Sequence, residues 1–503
     1  MNRIFWIFFL LMLVPAIMLR GQSGHTSTPD SLFAYFGTGV TFSNADFLPF
    51  YMVHNRWGEV STEPGLFAEG GLHYQRDLSK NLKLSTGFSF RNDVLSSYYI
   101  DGRYQFLYVS IGAYQERIGG IDSELTVSNF GISANARPAP MVEVGIERFT
   151  PLPFWDGLIE IKGRMGLRWL ENDRYMANAM LHSKDAAMRF KLEKYVGFNV
   201  STGFFHFAQF GGISPVGVQQ PNSFSDFWTV FKGGGIPNPD GPDVDEASVL
   251  GNHLGMSELN FDTNIKGNKL LLNYQSPFED NGSIQYIGLN DFSLALHWEL
   301  PKNAKWLQSV QVEYMQTKMQ SGVGIPVGLP QFPDKKANFG YGFGGRDDLH
   351  NHWLYRSGYT YQDLIMGNPL FLTADWTSLF MVNLPTYGVN VVSNRTQAWN
   401  LSARGELAKG ISYFTRFTYS MNWGTYAGLF EGRYNWGGIV SNPNFEYAFR
   451  GGREQFYSYM GLNFEQPFPD YPFNFRLILT HDFGELYQNT GLEFAMSYIL
   501  RRD

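Results

Sequence analysis

The chain of 503 residues contains no cysteine. A disulfide-stapled scaffold, a thiolate metal centre and a cysteine nucleophile are therefore excluded, since each needs a thiol. Charge is also scarce, at 17% of residues, where a soluble domain carries about 25%. The formal net charge of -7 supplies no basic face for phosphates, so nucleic acid is not an expected partner. Long hydrophobic runs are missing after the N-terminus. Residues 4–19 form an apolar run behind Arg3 and ahead of Arg20, Gly21 and Gln22, the layout of a secretory signal over residues 1–22. Beyond it no segment approaches the roughly 18 consecutive apolar residues of a membrane-spanning helix. A secreted soluble protein or an outer-membrane β-barrel is left.

Glycine (54 residues) and aromatics (17%) are in excess, and an apolar content of 44% is ample for collapse, which excludes disorder. The bias runs along the whole chain without a break, so residues 23–503 are expected to form one architecture. Within it, apolar and polar side chains alternate in segments of about ten, the period of strands with two unlike faces. Leu492, Phe494, Met496, Tyr498 and Leu500 share one face, with Glu493, Ala495 and Ser497 on the other. Phe292, Leu294, Leu296 and Trp298 oppose Ser293, His297 and Glu299. Similar segments run over 82–91, 399–407, 411–423 and 473–480. A soluble sandwich also alternates, but two details favour a barrel. Aromatics such as Trp298, Tyr413, Trp423, Phe473 and Tyr498 fall toward segment ends, where interfacial girdles sit, and the polar face is rich in Arg, Glu and Asn beside small residues, as a lumen requires. About 18 segments can be marked between Leu32 and Leu500. The expected fold is all-β: a closed antiparallel transmembrane barrel of about 18 strands.

Two stretches lack alternation, 211–255 and 320–370, and are expected as long loops that plug the lumen or cap it. Connections of this length are usually functional. In the first, Ser223 is placed to cap one or two helical turns over SFSDFWTVF. The stretch 41–66 is irregular too, as a long first connection or a periplasmic element.

Chemistry-bearing groups are few. Tyr355, Tyr359 and Tyr361, with Trp353, Arg356 and Asn368, cluster within the second loop. Aromatic planes suit the C–H faces of sugar rings and the polar groups suit their hydroxyls, so the cluster points to carbohydrate; loop packing is the structural alternative. His350 and His352 have a spacing that could begin a metal site, but no third ligand is placed to complete it. Gly340 to Gly345 superficially resembles a nucleotide loop without the strand and helix that a nucleotide loop requires. His481, Asp482 and Glu485 would be split between strand faces and are expected as a strand end and turn. Inward charges, among them Arg164, Arg168, Arg189, Lys191, Arg404, Arg416 and Arg476 with Glu299 and Glu493, either pair across the lumen or line a route for an acidic polysaccharide.

At Leu181 to Gly212 and at Asn351 to Phe371, where a Tyr-x-x-Gly-Tyr-x-Tyr core is followed by Gly-Asn-Pro, the chain resembles the capsule-assembly Wzi family of outer-membrane proteins in its Bacteroidetes form. The resemblance implies an 18-stranded barrel with a mostly closed lumen that holds capsular polysaccharide or exopolysaccharide as a lectin does, and it adds no catalytic residue; no cofactor or metal is expected. Carried over by motif, it implies binding through His206, Gln209, Tyr355, Arg356, Tyr359, Tyr361 and Asn368. The expected protein is a monomer in the Gram-negative outer membrane, in contact with lipid and lipopolysaccharide. The alternative function is a porin or substrate-specific channel. A compact N-terminal helical plug, found in some members of the family, is not legible here.

Overall fold

The computed structural model describes residues 31–121, 124–235, 249–279, 290–320, 348–381, 388–425, 448–449, 451–468 and 471–502. Eighteen strands form one antiparallel sheet: β1 (Ser31–Ser43), β2 (Leu66–Ser79), β3 (Leu82–Arg91), β4 (Val94–Tyr104), β5 (Leu107–Ala113), β6 (Met141–Pro151), β7 (Ile159–Trp169), β8 (Met180–Phe190), β9 (Asn199–Phe210), β10 (Asn252–Ile265), β11 (Asn268–Glu279), β12 (Phe292–Glu299), β13 (Ser309–Gln316), β18 (Thr396–Ala408), β19 (Ile411–Asn422), β20 (Arg453–Phe464), β21 (Phe473–Gly484) and β22 (Asn489–Arg502). Four short strands, β14 (Thr360–Tyr361), β15 (Leu364–Ile365), β16 (Leu372–Thr373) and β17 (Val391–Ser393), form two small hairpins in the long connection after β13. The first and last strands pair antiparallel from Leu32 with Arg502 to Ser43 with Gly491. The sheet is thus closed, as an even strand count permits.

The two faces are inverted relative to a water-soluble core. Leu296 and Phe494 are 48% and 46% exposed on the outer wall, while Glu493 and Glu313 are 0% and 2% exposed on the inner one. Period two fixes this for whole strands at once, because every second side chain shares a face. Leu401, Leu479, Val312 and Met460 continue the exposed apolar band, a surface far more apolar than soluble monomers tolerate. Trp423, expected among the outward aromatics, is buried instead, with the Lys318 ammonium 4.8 Å from its ring. It stands one residue past the end of β19, where alternation no longer governs direction.

Antiparallel pairing makes the connections alternate between ends. One end carries tight turns such as Lys266–Gly267, where φ values of +52° and +86° give the type I′ geometry that matches strand twist. The opposite end carries nearly all the long connections.

Three of those long connections fold inward and fill the long-loop half of the bore with their described residues: 44–65, 114–121 with 124–140, and 348–381 with 388–395. They share one apolar cluster that includes Phe47, Phe50, Phe130, Tyr359, Phe371 and Trp376. His54 Nδ1 donates to Asn135 Oδ1 at 2.9 Å, Asn135 Nδ2 to the Ile365 carbonyl at 2.8 Å, and Ser133 Oγ to the Gly367 carbonyl at 2.6 Å. Buried irregular backbone must find partners for its N–H groups, and the polar wall supplies them. Phe50 N donates to Asp482 at 2.6 Å, Val127 N to Glu313 at 2.9 Å and Gly120 N to Glu258 at 2.5 Å. The irregular stretch after Thr41 is therefore the first piece of a lumenal plug, built round the short helix Phe50–Val53.

In the connection after β9, whose described residues are 211–235 and 249–251, the helical part neither plugs nor caps the lumen. Its helix, Phe224–Lys232, forms where expected, with Ser223 and Asp226 closing a reciprocal capping box. It packs on the outside of the wall, where Val230 and Phe227 meet Ala208, Phe210 and Leu167. Lys184 Nζ, also on the outer face, donates to the Phe231 carbonyl.

Candidate functional site

The residues implied by the resemblance do not form one site. His206 and Gln209 lie on the same strand, but their odd spacing puts them on opposite faces. His206 points outward under the outer helix and bonds His253 at 2.8 Å, whereas Gln209 points inward and donates to the Gly358 carbonyl at 3.0 Å. Tyr355, Tyr359 and Asn368 are buried inside the plug. Tyr355 hydroxyl donates to the Gly211 carbonyl at 3.3 Å, the Tyr359 ring lies 5.7 Å from that of Phe207, and Asn368 is bonded to Met315 Sδ at 2.6 Å. Burial pushes the Tyr359 phenol far above its usual range. Tyr361 is half-buried and Arg356 is exposed, its guanidinium 4.8 Å from the Tyr175 ring. In this arrangement most of the aromatic cluster is packing, and Arg356 with parts of Trp353 and Tyr361 stays open to solvent.

His350 and His352 are held neutral by burial, which lowers both to about 3. Among the described residues no group of three or more His, Asp or Glu is arranged to hold a metal ion. His481 and Asp482 face opposite sides of β21; Asp482 is occupied by Phe50 N and by the Tyr487 hydroxyl at 2.9 Å. Gly340 to Gly345 lie outside the described residues.

Most of the inward charges form ion pairs. Arg476 reaches Glu69 at 3.1 Å and Glu493 at 2.8 Å, and Glu493 also binds Arg56 of the plug at 2.8 Å and Arg91 at 3.3 Å. Arg164 binds Asp185 at 2.7 Å and Glu116 of the plug at 2.9 Å, with Arg168 on the same glutamate. Arg189 meets Asp262 at 2.7 Å. The pairs of Arg56 and Glu116 tie plug to wall and the others tie strand to strand, the structural member of the two expectations.

A site that sequence reasoning missed lies beneath the plug. A cavity of about 1360 Å³ runs along the inner wall, lined chiefly by β1–β7 with Asp185, Phe205 and Glu258 of β8–β10. Exposed Lys80, Asn81, Gln105 and Phe106, all in tight turns, mark its mouth at the short-turn end, and Trp57, Gly119 and Gly120 of the plug lie at its inner end. Its wall is built in cross-strand rows. One row reads Tyr35, Gly71, Ser89, Ser97; the next reads Phe33, His73, Gly87, Tyr99. A third runs Gln75, Ser85, Asp101, Ser110. His73 Nδ1 is bonded to the Tyr99 hydroxyl at 2.6 Å, and the rings of Tyr99 and Tyr114 of the plug meet in a T-shaped contact at 6.0 Å.

The carboxylates here are engaged. Asp101 accepts from Arg103 Nε and Ser110 Oγ, each at 2.6 Å, and Asp185 accepts from Arg164. Burial, with Glu116 and Glu143 nearby, pushes the Tyr114 phenol well above its ordinary range, so it stays a hydrogen-bond donor, 2.8 Å from Glu143. Aromatic side chains, hydroxyls and fixed charges line one concavity, a composition suited to holding a polar ligand with apolar faces. The alternating aromatic and serine residues of 33–35, 85–89 and 97–101 are the signal that could have found it, once their register was known.

No family model and no curated protein matches the chain in sequence. Among solved structures, the chain is similar to Wzi of Escherichia coli, described as an outer-membrane protein involved in group 1 capsule assembly and a carbohydrate-binding β-barrel. The TM-score is 0.52 at 11% identity, over 92% of this chain and 83% of that one. Looser likenesses include OprD of Pseudomonas aeruginosa, with a TM-score of 0.46 at 9% identity over 95% and 96% of the two chains. At these identities the likeness is one of fold: a closed 18-stranded antiparallel barrel of the outer-membrane type.

Proposed function

We propose that this chain is a monomeric outer-membrane barrel of a Gram-negative cell that binds a surface or capsular polysaccharide without catalysis, in the cavity beneath its plug. The observation that carries the reading is the joint presence of a plug bonded to the wall and an aromatic, hydroxyl-rich chamber below it. An open channel would leave the bore to solvent, whereas here Glu258, Glu313 and Asp482 spend their carboxylates holding loop backbone inside it. The inverted faces of the wall support a lipid setting, and the fold likeness to a barrel described as carbohydrate-binding supports the ligand class. By the rule that outer-membrane barrels have short periplasmic turns and long external loops, the mouth of the cavity faces the periplasm.

The test is calorimetric titration of the purified protein with defined oligosaccharides. Saturable binding that weakens at least tenfold in the Tyr99→Ala variant, with the melting temperature kept, is the expected result. Affinity independent of Tyr99 would remove the cavity as the site.

A further inference from the structure

Two tyrosines in the cavity stand opposite glycines. Tyr35 on β1 pairs in register with Gly71 on β2, and Tyr99 on β4 with Gly87 on β3. A Cβ added at Gly71 would lie 2.7 Å from Tyr35 Cε1, and one at Gly87 would lie 3.0 Å from the Tyr99 hydroxyl oxygen and 3.2 Å from its Cε1. Each ring therefore leans across onto bare backbone, the arrangement by which an aromatic neighbour shields a strand glycine. Glycine inside a strand costs stability and marks a close approach. Both rings line the cavity, Tyr99 with Tyr114 and His73 beside it. The two glycines sit in adjacent rows of adjacent strands, roughly 8 Å apart by ordinary strand and pleat spacings. Ser85, Ser89, Ser97 and Gln75 surround the rings with groups that match sugar hydroxyls.

We infer that Tyr35 and Tyr99 form a two-ring stacking platform for consecutive pyranose units of one glycan chain, entered from the short-turn end. The inference deepens the saccharide reading and rests on it. The polar edges come from the serine rows, and the glycines set the tilt of the rings. Gly71 and Gly87 are then specificity-determining positions although neither carries a side chain.

The absence of cysteine makes a clean test possible. The full-length protein is titrated with cellohexaose, maltohexaose and a galacturonic acid hexamer. Tyr35→Ala and Tyr99→Ala are each expected to weaken the best of these at least tenfold, Tyr35→Phe to stay within threefold because the ring face is kept, and Gly71→Ala to weaken binding by displacing the Tyr35 ring. Single cysteines are also introduced at Gln105, on the mouth, and at Asp93, in the exposed turn at the opposite end, and each is coupled to a maleimide polymer. Polymer at Gln105 is expected to abolish binding and polymer at Asp93 to leave it intact. If wild-type protein binds a hexamer but both tyrosine variants bind equally well, the platform is wrong while saccharide binding stands. If the Asp93 polymer blocks and the Gln105 polymer does not, the direction of access is wrong. If wild-type protein binds none of the three, the platform and the reading beneath it fail together.

Discussion

His54 shows how tightly single residues of the plug are held. Its ring stacks on Phe50 at 4.2 Å and its Nδ1 is committed to Asn135. Burial lowers it from 6.5 to about 4. Because the folded value lies below the unfolded one, the unfolded chain takes up the proton first. The contribution to stability is complete above pH 6.5 and is lost as pH falls toward 4, by at most about 1.4 kcal/mol per pH unit. Melting curves at pH 7.5 and 4.5 should therefore show a larger acid loss for wild type than for His54→Gln, by about 2 kcal/mol; equal losses would contradict a buried neutral imidazole. At the same scale, alternation told which residues share a face. It separates His206 from Gln209 on parity alone. It does not say that Tyr355 and Tyr359 are packing residues, since a buried and an exposed tyrosine in an irregular loop look alike in sequence.

At the scale of elements, the helix Phe224–Lys232 was legible because its cap is local: Ser223 Oγ accepts from Asp226 N, and Ser223 N donates to Asp226 at 2.7 Å. Its location was not, because Phe227, Val230 and Phe231 form a stripe that could seat on either side of a wall. Ser223→Ala should cost the helix about 1 kcal/mol. Hydrogen exchange should then quicken over 224–232 while β8 and β9 keep their protection, and unchanged exchange would mean the cap is not what holds the helix. Two of the plug segments were illegible for the converse reason, while the third falls in the stretch 320–370 expected to plug or cap the lumen. Segments 44–65 and 114–140 have no period, and what holds their described residues is wall chemistry distant in sequence, such as Glu313 meeting Val127 and Asp482 meeting Phe50.

At the scale of the whole molecule, strand number and closure follow from counting alternating segments, and sidedness follows from the parity of each. Leu401 sits in the middle of β18 on the exposed apolar band. Replacing it with Arg should cost about 2–4 kcal/mol in a bilayer, measured as a shift in the urea titration of folding into liposomes. The same replacement at Ser402, on the inner face, probes packing instead. A shift near zero for Leu401→Arg would deny that this face meets lipid. The cavity was the least legible feature, because Tyr35, Gly71, Gly87 and Tyr99 come together only through the register of four strands.

The claim that joins these scales is that the bore is occupied by the chain itself, leaving a chamber and not a conduit. Steady current through single molecules in a planar bilayer tests it most directly. Wild-type protein is predicted to pass little current, and deletion of residues 348–381 to open a conductance. A steady, ohmic wild-type conductance as large as that of the plug-deleted barrel would contradict the account.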